Sequence, residues 1–167
     1  MRKLSLCVAL VALSQVAISR AAFAETTVIN TGVTTTQGPS TPELNSDDTL
    51  IITNSGSITT LNDLLDGVDT YGNNNTITNS GSITTSGGYA SGVRANGNSN
   101  TITNSGSITT SGERSDAVFI SGNGNSNIIT NSGSINTSGS YGHGVEAIGD
   151  YNIITNSGSI NLSLIHI

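Results

Sequence analysis

The chain has 167 residues, a formal net charge of −6 and only 10% charged residues, with a single cysteine. So few charges exclude an ordinary helical domain, whose wet face needs Lys and Glu. The acid excess excludes nucleic acid as a partner, because its phosphates must be neutralised by Lys and Arg. One cysteine excludes a disulfide framework or a cysteine-built metal site. What remains is a Ser/Thr/Asn-faced β structure or a polar disordered tract.

Arg2 and Lys3 precede an apolar run of 15 residues from Leu4 to Ile18, and Ala22-Phe23-Ala24 supplies a small-x-small pattern. Residues 1–24 are therefore predicted to be a signal peptide, since the run is short of the ~20 residues of a membrane span. The predicted mature chain carries 2 basic and 11 acidic residues and no cysteine. Residues 25–50 read as an N-terminal partial rung or cap. A weak motif copy, Asn30-Thr31-Gly32-Val33, is followed by Pro39, Pro42, Asp47 and Asp48. Proline cannot donate to a strand ladder, so 37–50 is expected to be a loop.

Residues 51–161 repeat. Thr-Asn-Ser-Gly-Ser-Ile occurs five times, with its Asn at Asn54, Asn79, Asn104, Asn131 and Asn156, spaced 25, 25, 27 and 25. A second mark, Val68, Val93, Val118 and Val145, lies 14 residues after each of the first four. The two extra residues of the long interval fall in Gly122-Asn123-Gly124-Asn125-Ser126-Asn127, a turn, where insertion costs least. Within a repeat such as Ile77-Thr78-Asn79-Ser80-Gly81-Ser82-Ile83, residues alternate with the period of two that marks a strand. A strand-rich unit of this length cannot bury its own apolar face, whereas stacked copies can.

The expected fold is all-β: a single-stranded parallel β-helix, or β-solenoid, with rungs of about 25 residues, right-handed as parallel crossovers are. Its expected columns are Ile52/Ile77/Ile102/Ile129/Ile154, Ile58/Ile83/Ile108/Ile135/Ile160 and Val68/Val93/Val118/Val145. The Asn column shares the Ile face. Buried amides must be paired, so Asn54, Asn79, Asn104, Asn131 and Asn156 are expected to form a structural ladder from turn to turn.

These residues resemble the passenger region of bacterial autotransporters, over about residues 25–161. The resemblance implies a β-helix exported by its own C-terminal β-barrel translocator and displayed on the cell surface or outer membrane. It also implies action as a stalk, adhesin or autoagglutination factor, with surface receptors or glycans of host or bacterial cells as partners. Some passengers carry a protease or esterase on the same stem, so an enzyme stem is an alternative expectation. A freestanding solenoid binding glycan, or ice through the column Thr78/Thr103/Thr130/Thr155, is another. No barrel strands follow, and the repeat gives way to Leu162-Ser163-Leu164-Ile165-His166-Ile167. That hexapeptide matches a reading frame of a transposase adapter used in sequencing libraries, so 162–167 is expected to be a non-native tail of a fragment.

No catalytic, cofactor-binding or metal-ligating set is expected. His143 and His166 are the only histidines and no Gly-x-Ser-x-Gly elbow is present. Gly97-Asn98-Ser99-Asn100 resembles calcium-binding nonapeptide repeats only loosely, with Asn for Asp and the wrong period. The position after each Val varies (Asp69, Arg94, Phe119, Glu146), as do the preceding loops, which hold Tyr89, Arg114, Tyr141 and His143. Arg94, Phe119, Tyr141 and Glu146 are the candidate surface contacts, because a solenoid presents such positions along one side.

Overall fold

The structure, a computed structural model, describes residues 24–35, 42–120 and 125–163. Residues 1–23 of the predicted signal peptide, Pro39, the insertion around Gly122-Asn123-Gly124 and the last four residues of the predicted tail lie outside them. The described residues form no helix and build a parallel β-solenoid of three sheets. The first sheet stacks Thr26–Ile29, Thr49–Ile52, Thr76–Asn79, Thr101–Asn104, Ile128–Asn131 and Ile153–Asn156. The second stacks Gly32–Thr35, Ser57–Thr60, Ser82–Thr85, Ser107–Thr110, Ser134–Thr137 and Ser159–Leu162. The third stacks Glu43–Leu44, Val68–Thr70, Val93–Ala95, Val118–Ile120 and Val145–Ala147.

Every pairing is parallel and joins a residue to its counterpart one turn on, as in Ile102 with Ile77 and, across the longer turn, with Ile129. Alternation puts one side of each strand inside. Ile77, Ile83, Val93, Ile102, Ile108, Val118, Ile129 and Ile135 are almost wholly buried, each contributing roughly 1.5–3 kcal/mol. The second inward column of the second sheet is hydroxylated. Thr85, Thr110 and Thr137 satisfy their Oγ1 by donating to the carbonyls of Ala90, Ser115 and His143 in the loop that leads to the third sheet, at 2.7, 3.0 and 3.2 Å. These bonds fix the path of that loop, which forms one side of the site below.

Two expectations need correction. First, Asn54 is not in the ladder. Leu50 pairs with Ile77 and Ile52 with Asn79, so the Ile77 column continues downward through Leu50, and Ile51 joins the outward Thr78 column. The corner after Ile52 has four residues, Thr53–Gly56, where later corners have two, and Asn54 sits exposed on it. Both registers keep the same residues inward, because they differ by two. The observed one buries Leu50 completely above Thr27 and Ile52 completely above Ile29.

Second, 37–50 is not all loop. Glu43–Leu44 pairs with Asp69 and Thr70 as the start of the third sheet. Pro42 donates nothing but accepts, through its carbonyl, the N–H of Asp69. Asp47 and Asp48 form the same corner that Asn74 and Asn75 form one turn later. Asp47 and Asn74 both have positive φ, 67° and 59°, and Asn75 Oδ1 accepts the N–H of Asp48 at 2.9 Å.

Candidate functional site

Two Asn columns hold the turns in register. Asn79 Nδ2 donates to Asn104 Oδ1 at 2.8 Å, Asn104 to Asn131 at 2.7 Å and Asn131 to Asn156 at 2.7 Å. Each of these three amides also donates to a carbonyl of the next turn, that of Ser107, Ser134 or Ser159. At the bottom, where Ile52 offers no donor, Asn79 Oδ1 accepts the N–H of Gly81 at 3.1 Å. A second column, Asn75/Asn100/Asn127/Asn152, buried except at Asn152, does more than form turns. Each Oδ1 of Asn100, Asn127 and Asn152 accepts the backbone N–H of the Asn one turn below, at 2.8–2.9 Å. Its signal was the fixed position of an Asn immediately before each first-sheet strand from Thr76 onward.

The functional candidate lies beside the third sheet. Among the described residues, the nine non-glycine residues with positive φ fall into two stacks. One, Asp47/Asn74/Ser99/Ser126/Tyr151, is a corner built largely of the small polar residues that tolerate this conformation. The other, Leu64/Tyr89/Arg114/Tyr141, has φ of 54–64° with no Gly, Asn or Asp in it. A left-handed backbone under a large side chain costs about 1 kcal/mol or more per residue. The side chains are held in a stack. Arg114 lies between the rings of Tyr89 and Tyr141, 5.7 and 5.5 Å from their centroids, a cation–π arrangement.

This stack is one rim of a groove of about 550 Å³. Asp66, Ser91, Asp116 and His143 line its floor, and Arg94, Phe119 and Glu146 its other rim. The three columns run in register because Val68, Val93, Val118 and Val145 pair in sequence, so positions four and two before each Val and one after it line up. All four sequence-predicted contacts, Arg94, Phe119, Tyr141 and Glu146, line this one groove. Sequence reasoning missed Asp66 and Asp116, although their offset from Val is constant. Both arginines beyond residue 20 are here. Arg94 stacks on Phe119 at 5.9 Å and stands 3.7 Å from Asp66, while its Nε is buried without a hydrogen-bond partner.

Burial governs Asp66. It pushes the Asp66 carboxyl up from 3.8 to about 6, against the hydrogen bond it accepts from the Ser91 N–H at 2.6 Å and the attraction of Arg94. Asp69, buried behind the rim, is also raised, mainly by desolvation. The hydrogen bond Tyr71 donates to it pushes the phenol up to about 12. An acid whose folded value lies above its unfolded one binds protons more tightly when folded, so stability rises as pH falls. The melting temperature should therefore increase as pH drops from about 6 to about 4, between the folded and ordinary values of Asp66. Asp66→Asn should flatten that rise in a pH series of thermal melts, whereas an unchanged slope would show that Asp66 does not cause it.

Asp116, His143 and Glu146 also meet here. His143 Nδ1 lies 3.0 Å from Asp116 Oδ1 and 3.6 Å from Glu146 Oε2. Neighbouring turns supply them, because Val118 pairs with Val145 and so sets 116 beside 143. Fold and groove together define the class: a parallel β-solenoid that carries a ligand-sized groove along its third sheet. No protein-family model, curated protein or solved structure matches the chain.

Proposed function

We propose that this chain is a non-catalytic, surface-displayed solenoid of the autotransporter-passenger type that adheres to an extended glycan along the third-sheet groove. The Leu64/Tyr89/Arg114/Tyr141 rim is the observation that carries this reading. Glycine would relieve the backbone at each of its positions, yet large side chains occupy all four. Strain of this kind accompanies sites whose side chains have a task. Flat, rigid rings with a polar tip suit contact with a sugar face at low entropic cost.

Length and charge favour an extended neutral ligand. The groove runs along four turns, ~14 Å at one strand spacing per turn. Asp66, Asp116 and Glu146 beside two arginines offer acceptors and donors to hydroxyl groups, and the excess of acids disfavours a polyanion. The signal-peptide pattern and the resemblance in residues 25–161 support export and display.

The test is binding of the full chain to immobilised glycans and to cells. Phe119→Ala and Tyr141→Gly should each weaken binding about tenfold, the roughly 1.4 kcal/mol of one anchor residue. Undiminished binding by both variants would refute the groove as the adhesive surface.

A further inference from the structure

We propose that Asp116, His143 and Glu146 form a binding site for one divalent transition-metal ion, of the zinc class, at one end of the groove. Among the described residues this is the one group of three or more His, Cys, Asp or Glu side chains whose ligand atoms converge, all within 4.8 Å of one another. His143 Nδ1 is within hydrogen-bonding distance of Asp116 Oδ1, and an ion would take the place of that contact and draw in the two carboxylate oxygens, which lie within 4.8 Å of each other. Ligand atoms around a tetrahedral centre with bonds of about 2.1 Å stand ~3.4 Å apart, and the 3.0 and 3.6 Å separations from His143 Nδ1 bracket that distance.

The donor set chooses the metal. One imidazole nitrogen with two carboxylates suits zinc and its neighbours, whereas calcium and magnesium take oxygen alone. Asp116 is nearly buried, and its Oδ1 accepts the backbone N–H of His143 at 2.7 Å, which orients the carboxylate before any ion arrives. His143 and Glu146 stand three residues apart on the next turn, more open to the groove. Three protein ligands leave one position of a tetrahedral ion free. All three line the groove, so that position is available to a ligand oxygen lying there.

No sequence pattern announces this site. Asp116 and His143 are 27 residues apart and adjacent only because the turns stack. The inference goes beyond the adhesive reading and does not depend on it, because the probe is the metal alone.

The experiment is calorimetric titration of the full chain with zinc chloride and, separately, calcium chloride, with circular dichroism to establish that each variant keeps its fold. The expected result is one zinc per chain, with affinity more than tenfold weaker in His143→Ala and weaker in Glu146→Gln. His166→Ala should leave it unchanged, and calcium should bind far more weakly than zinc. Absent zinc binding, affinity unaltered by His143→Ala, loss on His166→Ala instead, or equal affinity for calcium would each overturn the site.

Discussion

Asn104→Leu should lower the melting temperature by about 10 °C, the equivalent of ~3 kcal/mol in a chain of this size. Leucine keeps the branched outline of asparagine but carries two bulkier methyl groups, so the loss combines missing hydrogen bonds with crowding in a closely packed column. Asn131 Oδ1 loses the donor it has at 2.7 Å, and the Asn79 amide loses its acceptor at 2.8 Å, keeping only the Ser107 carbonyl. Each buried polar group left unpaired costs about 1–3 kcal/mol. Asn54→Leu changes the same motif position but falls on the exposed corner. It should move the melt by no more than roughly 2 °C. Thermal unfolding of the two variants side by side checks both the ladder and the register of the second turn. Equal effects would contradict the register, and an unchanged Asn104→Leu melt would contradict the ladder.

Gly106→Ala should be as damaging or worse, at about 3 kcal/mol, the upper part of what overpacking costs. Gly106 does not need a left-handed backbone; it needs the absence of a Cβ. A methyl there would collide with the carbonyl oxygen of Gly81, the equivalent residue one turn below, and with the Ser80 carbonyl carbon 2.7 Å away. Both are backbone atoms, so relief requires prising two turns apart against the strand spacing. The same collision recurs at Gly81, Gly133 and Gly158, which is why the motif repeats Gly at that place. Gly88→Ala is the control. Its Cβ would meet nothing closer than 3.6 Å, so stability should hold or rise slightly. Denaturant melts of both variants measure the contrast, and a neutral Gly106→Ala would show that the turns are not packed this closely.

Much of the fold is written in the sequence because a solenoid repeats its instructions. Period two within the motif and 25 between motifs leave few alternatives to stacked parallel strands, and the Ile and Val columns follow from them. Two features were not legible, for physical reasons. Register in the second turn was ambiguous, because a two-residue shift keeps the same side chains inward; the observed register buries both Leu50 and Ile52. The buried Asn75 column was hidden because Asn in a polar corner is an equally good turn former, and nothing in residue type says that its amide accepts from the turn below.

The groove was half legible. Arg94, Phe119, Tyr141 and Glu146 stand out as variable positions on a regular frame. That they share one surface with Asp66 and Asp116 depends on where the loop before the third sheet runs. Long-range bonds such as Thr110 Oγ1 to the Ser115 carbonyl set that course. The left-handed backbone of the Tyr89/Arg114/Tyr141 stack has no sequence mark at all, since residues of these types avoid it.

If this strained rim exists for its side chains, Tyr141→Gly will separate glycan binding from thermal stability when both are measured on the same variant. Glycine accepts the 61° φ without strain. The expected result is a melting temperature that holds or rises while binding falls about tenfold. A variant that binds as well as the wild type, or one whose stability collapses along with its binding, would contradict it.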